Sequence, residues 1–168
     1  MLIAFAGLPG VGKTTIARRL AARTGAVWLR IDTIEDALAR STLAIRPAED
    51  AGYTVAFALA ADNLVNGLKV IADSVNPIPW SRDAFRSVAL AAGVAHLEVE
   101  VTCPDPLEHR RRVEARLPEG DRRHPDWEAV TGRNYVPFGR DRLVLDTCRL
   151  SVDEAVERVA QEMARRGP

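Results

Sequence analysis

Gly7-Leu8-Pro9-Gly10-Val11-Gly12-Lys13-Thr14 is the stretch whose reading decides the fold. It has the form G-x-x-x-x-G-K-T, a spacing that bends the backbone so that consecutive N–H groups face a phosphate. Leu2-Ile3-Ala4-Phe5-Ala6 precedes it, an apolar run suited to a strand buried on both faces. Thr15 to Arg23 follows it, a run of good helix formers. Strand, glycine loop and helix are therefore expected in that order, with the positive end of the helix aimed at the bound anion. Gly10, Val11, Gly12, Lys13, Thr14 and Thr15 are the expected nucleotide-contacting residues. Lys13 would reach the β- and γ-phosphates of ATP, and the Thr14 hydroxyl would hold Mg²⁺. The alternative is a glycine-rich turn without a ligand.

Working outward, the chain alternates short apolar runs with helical patterns. Val27–Ile31 reads as a second strand ending at Asp32, with a short helix over Thr33–Arg40. Ala48–Asn66 reads as a long helix whose apolar side runs through Val55, Leu59 and Leu64. Leu68–Ala72 reads as a third strand ending at Asp73, Trp80–Ala92 as a helix, and Val94–Thr102 as a fourth strand. Leu107–Leu117 is a basic helix, Pro118–Pro125 a polar stretch of mobile composition, and Asp126–Thr131 a helical turn. Arg142–Leu145 is the last strand, and the capping box Ser151-Val152-Asp153-Glu154 opens a terminal amphipathic helix. Five strands alternating with helices predict an α/β fold with a parallel sheet covered on both faces. Ligands of such sheets sit at the carboxyl ends of the strands.

Length and composition set the bounds. A chain of 168 residues predicts one domain with a full core. Lysine plus arginine equal aspartate plus glutamate at 23 each, which argues against a long nucleic-acid partner. No run of 18 apolar residues predicts a membrane span. The apolar N-terminus lacks a basic leader, so a cytoplasmic protein is expected. Cys103 and Cys148 lie far apart in sequence without metal-ligand spacing and read as packing residues near strand ends.

The polar residues that could carry chemistry gather at the predicted strand ends. Asp73 stands where a carboxylate can hold Mg²⁺ opposite Thr14, or cap a turn. Asp32 can accept the proton of an attacking hydroxyl or orient it, or cap the following helix with Glu35 in a D-x-x-E pattern. Arg112 and Arg116 share a helix face, where guanidinium groups could close over phosphates; a solvated basic face is the rival. Arg110 and Arg111 are assigned to solvent. Arg82 and Arg86 lie one turn apart and could reach a substrate or remain on the surface. Tyr135, in Tyr135-Val136-Pro137-Phe138, could line a substrate pocket or belong to the core. His96 and His124 read as bland, and Trp28 as packing.

With these residues in view, the chain resembles the small P-loop kinases that include chloramphenicol phosphotransferase, gluconate kinase, shikimate kinase and adenylylsulfate kinase. Leu29–Leu38 resembles the second strand and helix of the chloramphenicol enzyme, Val70–Val75 its Walker-B strand, and Asp141–Thr147 its last strand. Arg112 and Arg116 resemble the lid pair of the group. The resemblance implies a three-layer P-loop NTPase fold with strand order 2-3-1-4-5, one domain over residues 1–168, and a helical lid around residues 107–136. It also implies transfer of the γ-phosphoryl group of ATP to a hydroxyl of a small molecule. Asp32, Lys13 and Arg116 would be catalytic, Arg112 would contact nucleotide, and Asp32, Arg82, Arg86 and Tyr135 would meet substrate. Three places depart from the group. Ala72-Asp73 replaces an aspartate pair, Asn76-Pro77-Ile78-Pro79 replaces a glycine-rich step, and Ser41–Tyr53 does not match in detail. The acceptor is therefore left open. A nucleoside or nucleic-acid-end kinase and an ATP-hydrolysing regulatory module are the rival readings.

Overall fold

The computed structural model describes residues 1–116 and 125–167. Of the polar stretch Pro118–Pro125 expected to be mobile, all but Pro125 lies outside the described residues, as does Leu117. Twelve elements follow one another: β1 (Leu2–Ala6), α1 (Lys13–Thr24), β2 (Val27–Arg30), α2 (Ile31–Arg40), α3 (Ala51–Val65), β3 (Val70–Asp73), α4 (Pro79–Ala91), β4 (His96–Thr102), α5 (Pro106–Glu114), α6 (Trp127–Thr131), β5 (Leu143–Asp146) and α7 (Val152–Arg166). The five strands are all parallel and lie in the order β2-β3-β1-β4-β5. This is the three-layer P-loop architecture expected from the sequence.

The central strand explains the layers. Every residue of β1 is buried, so successive side chains feed opposite cores. Ile3 and Phe5 pack with Ile16, Leu20, Val159 and Met163 of α1 and α7. Leu2 and Ala4 pack with Ala56, Ala60 and Phe85 of α3 and α4. The capping box at Ser151 forms as expected, with the Ser151 hydroxyl and the Glu154 carboxylate satisfying each other's backbone N–H.

Several boundaries differ from the sequence reading for physical reasons. The apolar side of α3 is not the one through Val55 and Leu59, which are both exposed. Gly52, Ala56, Ala60 and Leu64 are buried instead, because small residues let the helix lie close against α2 and the sheet. Residue 32 does not close β2: helix begins at Ile31, and Asp32 sits in its first turn. The D-x-x-E cap is absent, and Arg30 stands at the N-cap without a side-chain hydrogen bond.

The outward face of β4 carries two glutamates, Glu98 and Glu100, both buried. Burying a carboxylate is tolerable when charged donors saturate it. The segment before β5 provides them. Arg140 donates Nε and Nη2 to Glu98, each at 2.6 Å. Arg142 donates to Glu100 at 2.7 Å, and the Tyr135 hydroxyl donates to Glu100 at 3.0 Å. Residues 135–142 thus strap across β4.

Cys103 and Cys148, distant in sequence, have their sulfur atoms 3.1 Å apart, because β4 and β5 are neighbours and both cysteines follow strand ends. Both are free thiols. Among the described residues no helix is long and apolar enough to cross a membrane.

Candidate active site

The glycine loop forms the centre of the site. At Gly7 φ is +134°, and a Cβ there would lie 2.2 Å from the Val101 carbonyl oxygen, so no side chain fits. At Gly10 φ is +90°, and a Cβ would lie 2.5 Å from Val113 of α5. The loop is therefore clamped between β4 and α5. Val11 turns its side chain into the core, leaving its backbone for a ligand. The Val11 carbonyl lies 2.9 Å from the Thr147 hydroxyl.

Lys13 is the first residue of α1 and is 7% exposed. Its Nζ donates to the Leu8 carbonyl at 2.9 Å, arching across the loop. Burial pulls its pKa down from 10.5 to about 8, against the pull of Asp73 and Asp32, which raise it. An ammonium held in this way gains from a neighbouring anion, as a phosphate-binding lysine should.

Asp73, the last residue of β3, is 3% exposed. Burial raises its pKa, while Lys13 and a hydrogen bond from Thr14 lower it. The Trp28 indole N–H also donates to Asp73, at 3.3 Å, so Trp28 does more than pack. A buried carboxylate beside a threonine hydroxyl fits Mg²⁺, which takes one or two protein oxygens and completes its shell with water and phosphate. No cluster of three or more His, Cys, Asp or Glu suited to a metal occurs among the described residues.

A cleft of about 230 Å³ opens over the loop. Lys13, Thr14 and Asp73 are among its lining residues. Asp32, Arg116, Arg30, Glu35, Ser74 and Arg133 line it as well. Asp32 is exposed there and accepts a 2.9 Å hydrogen bond from Arg30 Nη2. Burial, and then the charges of Arg30 and Arg112, lower the pKa of Arg116, whereas Asp32 and Asp73 raise it. The cleft therefore brings together four residues singled out in sequence: Lys13, Thr14, Asp32 and Asp73, with Arg116 facing them.

Other expectations do not meet there. Arg112 stays outside the cleft. Its Nε donates to Glu108 at 2.7 Å, and Nη1 and Nη2 donate to the hydroxyl and carbonyl of Thr147 at 2.8 and 3.0 Å. It ties α5 to the turn after β5. The pair four residues apart splits because α5 ends at Glu114, so Arg116 leaves the helical face. Arg82 is 2% exposed and structural: it donates to the carbonyls of Asn76 and Pro77 at 2.9 and 3.0 Å and stacks 3.8 Å from the Phe138 ring centre. Arg86 borders a depression with His96 and Arg166, at the opposite end of the sheet from the strand termini that form the cleft. Tyr135 lines a separate apolar cavity of about 320 Å³ with Gly7, Leu8 and Glu100. Arg110 and Arg111 are exposed and paired with Glu114 and Glu108, as expected of a solvated face.

The sequence reading missed Arg30, Glu35, Ser74 and Arg133 in the cleft, and His109 beside it. Ser74 directly follows the β3 acid, and that adjacency was the available signal. His109 is buried with Nε2 2.7 Å from the Pro9 carbonyl, which requires the proton on Nε2, and its ring meets Trp127 edge-on at 5.2 Å. It was hidden inside a charge run.

With the loop and its acids in place, comparison with known proteins becomes informative. The AAA domain profile matches residues 2–131. The chain belongs to the AAA domain family. Within it, this AAA domain falls in the small P-loop kinase group. It is 31% identical over 166 residues to a probable adenylyl-sulfate kinase of Aeropyrum pernix, covering 84% of this chain and 80% of that protein. Among solved structures it is similar to a putative kinase from Chloroflexus aurantiacus, with a TM-score of 0.75 and 21% identity over 96% of this chain and 97% of that one. It is also similar to the Mycobacterium tuberculosis APS kinase in complex with AMPPNP and APS, with a TM-score of 0.67 and 22% identity over 95% of each chain. At these identities the structural likenesses establish the fold alone, a five-stranded parallel sheet covered by helices.

Proposed function

We propose that this protein transfers the γ-phosphoryl group of ATP to a hydroxyl of a small molecule. The observation that carries the reading is the convergence on one cleft of Lys13, Thr14, Asp73, Asp32 and Arg116. The loop amides and Lys13 hold the phosphates. Thr14 and Asp73 would hold Mg²⁺, which would supply positive charge against the phosphate oxygens. Arg116 offsets charge that grows on the transferring group. The acceptor oxygen bonds to the γ-phosphorus, the bond from that phosphorus to the β,γ-bridging oxygen breaks, and ADP leaves. Asp32 takes the hydroxyl proton or orients its lone pair. Arg116 and Arg133 at the cleft would help exclude water, the competing acceptor. A cytoplasmic location accords with a cofactor of this kind.

A hydrolysing regulatory module would need a group that positions water; the exposed carboxylate of Asp32 beside Arg116 favours transfer instead. Steady-state ADP release with ATP–Mg²⁺ and a panel of hydroxylated metabolites, nucleosides and antibiotics tests this. Asp32→Asn should lower kcat by about a hundredfold or more while leaving the KM for ATP within about threefold. Near-normal kcat on the best acceptor would remove Asp32 from the chemistry, and release unaffected by every acceptor would favour the hydrolytic module.

A further inference from the structure

We infer that His109 is a positioning residue for phosphate binding: its imidazole fixes the plane of the Pro9–Gly10 peptide, and with it the direction in which Gly10 presents its N–H. The inference rests on the nucleotide-binding half of the reading above and is independent of the acceptor. Three carbonyls of the glycine loop are pinned by side chains. Lys13 Nζ donates to the Leu8 carbonyl at 2.9 Å, the Thr147 hydroxyl to that of Val11 at 2.9 Å, and His109 Nε2 to that of Pro9 at 2.7 Å. The Lys13 ammonium is itself assigned to phosphate. Thr147 and His109 are therefore the pins that the ligand does not draw away.

The pin on Pro9 bears directly on an amide. The next residue is glycine at φ +90°, where no side chain limits backbone rotation. The bond between them is trans, and a trans peptide is a rigid plane whose C=O and N–H point opposite ways. Drawing the Pro9 carbonyl onto α5 therefore turns the Gly10 N–H away from α5. An amide aimed before the ligand arrives spares the cost of ordering it on binding. The imidazole is itself held from two sides. Its ring is buried, and the ring of Trp127, the first residue of α6, stands against it at 88° with centroids 5.2 Å apart. On the loop side, a Cβ on Gly10 would lie only 3.2 Å from His109 Cδ2, so the ring packs against the bare Gly10 Cα. Helix α6 thus braces His109, and His109 braces the loop.

The test titrates the full chain with a fluorescent ATP analogue in the presence of Mg²⁺, and reads inorganic tripolyphosphate, which carries no base, by displacement. His109→Gln keeps an N–H donor near the place of Nε2, and His109→Met has similar length and volume without one. His109→Met should weaken both ligands by about tenfold, the upper range for one hydrogen bond, and His109→Gln should stay within about threefold of wild type. His109→Phe keeps a buried ring without the donor; it should match the methionine variant and replaces it if that variant does not fold. Affinities are read well below the Tm of each variant, so lost stability alone does not move them. Equal affinities in the Gln variant and the donor-less variant overturn the inference, as does a loss for the ATP analogue that tripolyphosphate does not share. A wild-type protein that binds neither ligand overturns the nucleotide-binding reading, and the inference falls with it.

Discussion

Replacing Lys13 by methionine should make the nucleotide-free protein more stable while abolishing its nucleotide binding. Lys13 is buried, and its pKa in the fold is about 8 against 10.5 for a free side chain. The gap between 10.5 and about 8 corresponds, at about 1.4 kcal/mol for each tenfold change in proton affinity, to an upper bound of roughly 3.5 kcal/mol that the charged ammonium costs the fold at neutral pH. Methionine has a similar length and no charge. Part of the gain is lost because Lys13 also helps keep the buried Asp73 ionised. A net gain of about 1–2 kcal/mol remains, which for a chain of this size is a rise in Tm of roughly 3–6 °C. The pH dependence separates this cause from others. Because the folded pKa is depressed, the unfolded chain binds the extra proton between about pH 8 and 10.5, and wild-type stability rises across that window. The advantage of Lys13→Met should therefore be full below pH 8 and shrink toward pH 10.5. Urea unfolding from pH 7 to 10.5 with both proteins reads the gap, and titration with a fluorescent ATP analogue reads binding. A variant less stable than wild type at pH 7, or a gap unchanged from pH 8 to 10.5, would refute the reasoning.

Arg82→Ala should cost about 2–4 kcal/mol of stability, since it strips the buried Asn76 and Pro77 carbonyls of a charged donor and removes the stack on Phe138. A raised KM for the acceptor at unchanged Tm would instead return Arg82 to the substrate site. Arg140→Met should destabilise by about 2–3 kcal/mol by leaving the Glu98 carboxylate buried without its fork, and Glu98→Gln should recover much of the loss in a double-mutant cycle by thermal melting. An additive cycle would break that pairing. Brief treatment with iodoacetamide at pH 8 should alkylate Cys148 and spare Cys103, because Cys148 is exposed while burial pushes the Cys103 thiol up to about 11. Peptide mass spectrometry checks it, and equal labelling of both thiols would contradict the burial of Cys103.

What the sequence determined by itself follows from local physics. Only certain residues can turn a backbone around a phosphate, so the loop from Gly7 to Thr14 with its flanking strand and helix was legible without coordinates, and the alternation of strands and helices announced a parallel sheet, whose observed order only the resemblance to the small P-loop kinases implied. The capping box at Ser151 was legible for the same reason: it is satisfied within one turn of chain. The tertiary structure decided the rest, because charge and burial depend on which elements become neighbours. Arg82, Arg112 and Arg116 look alike in sequence, yet one is sealed under Phe138, one is tied to Thr147, and one lines the cleft. The face of α3 was misread because its buried side is made of Gly52, Ala56 and Ala60, whose close approach to neighbours matters more than their hydrophobicity. Glu35 became visible as part of the site for the same reason: the α3 backbone at Gly52 presses on it from behind, a contact between helices that no residue pattern announces.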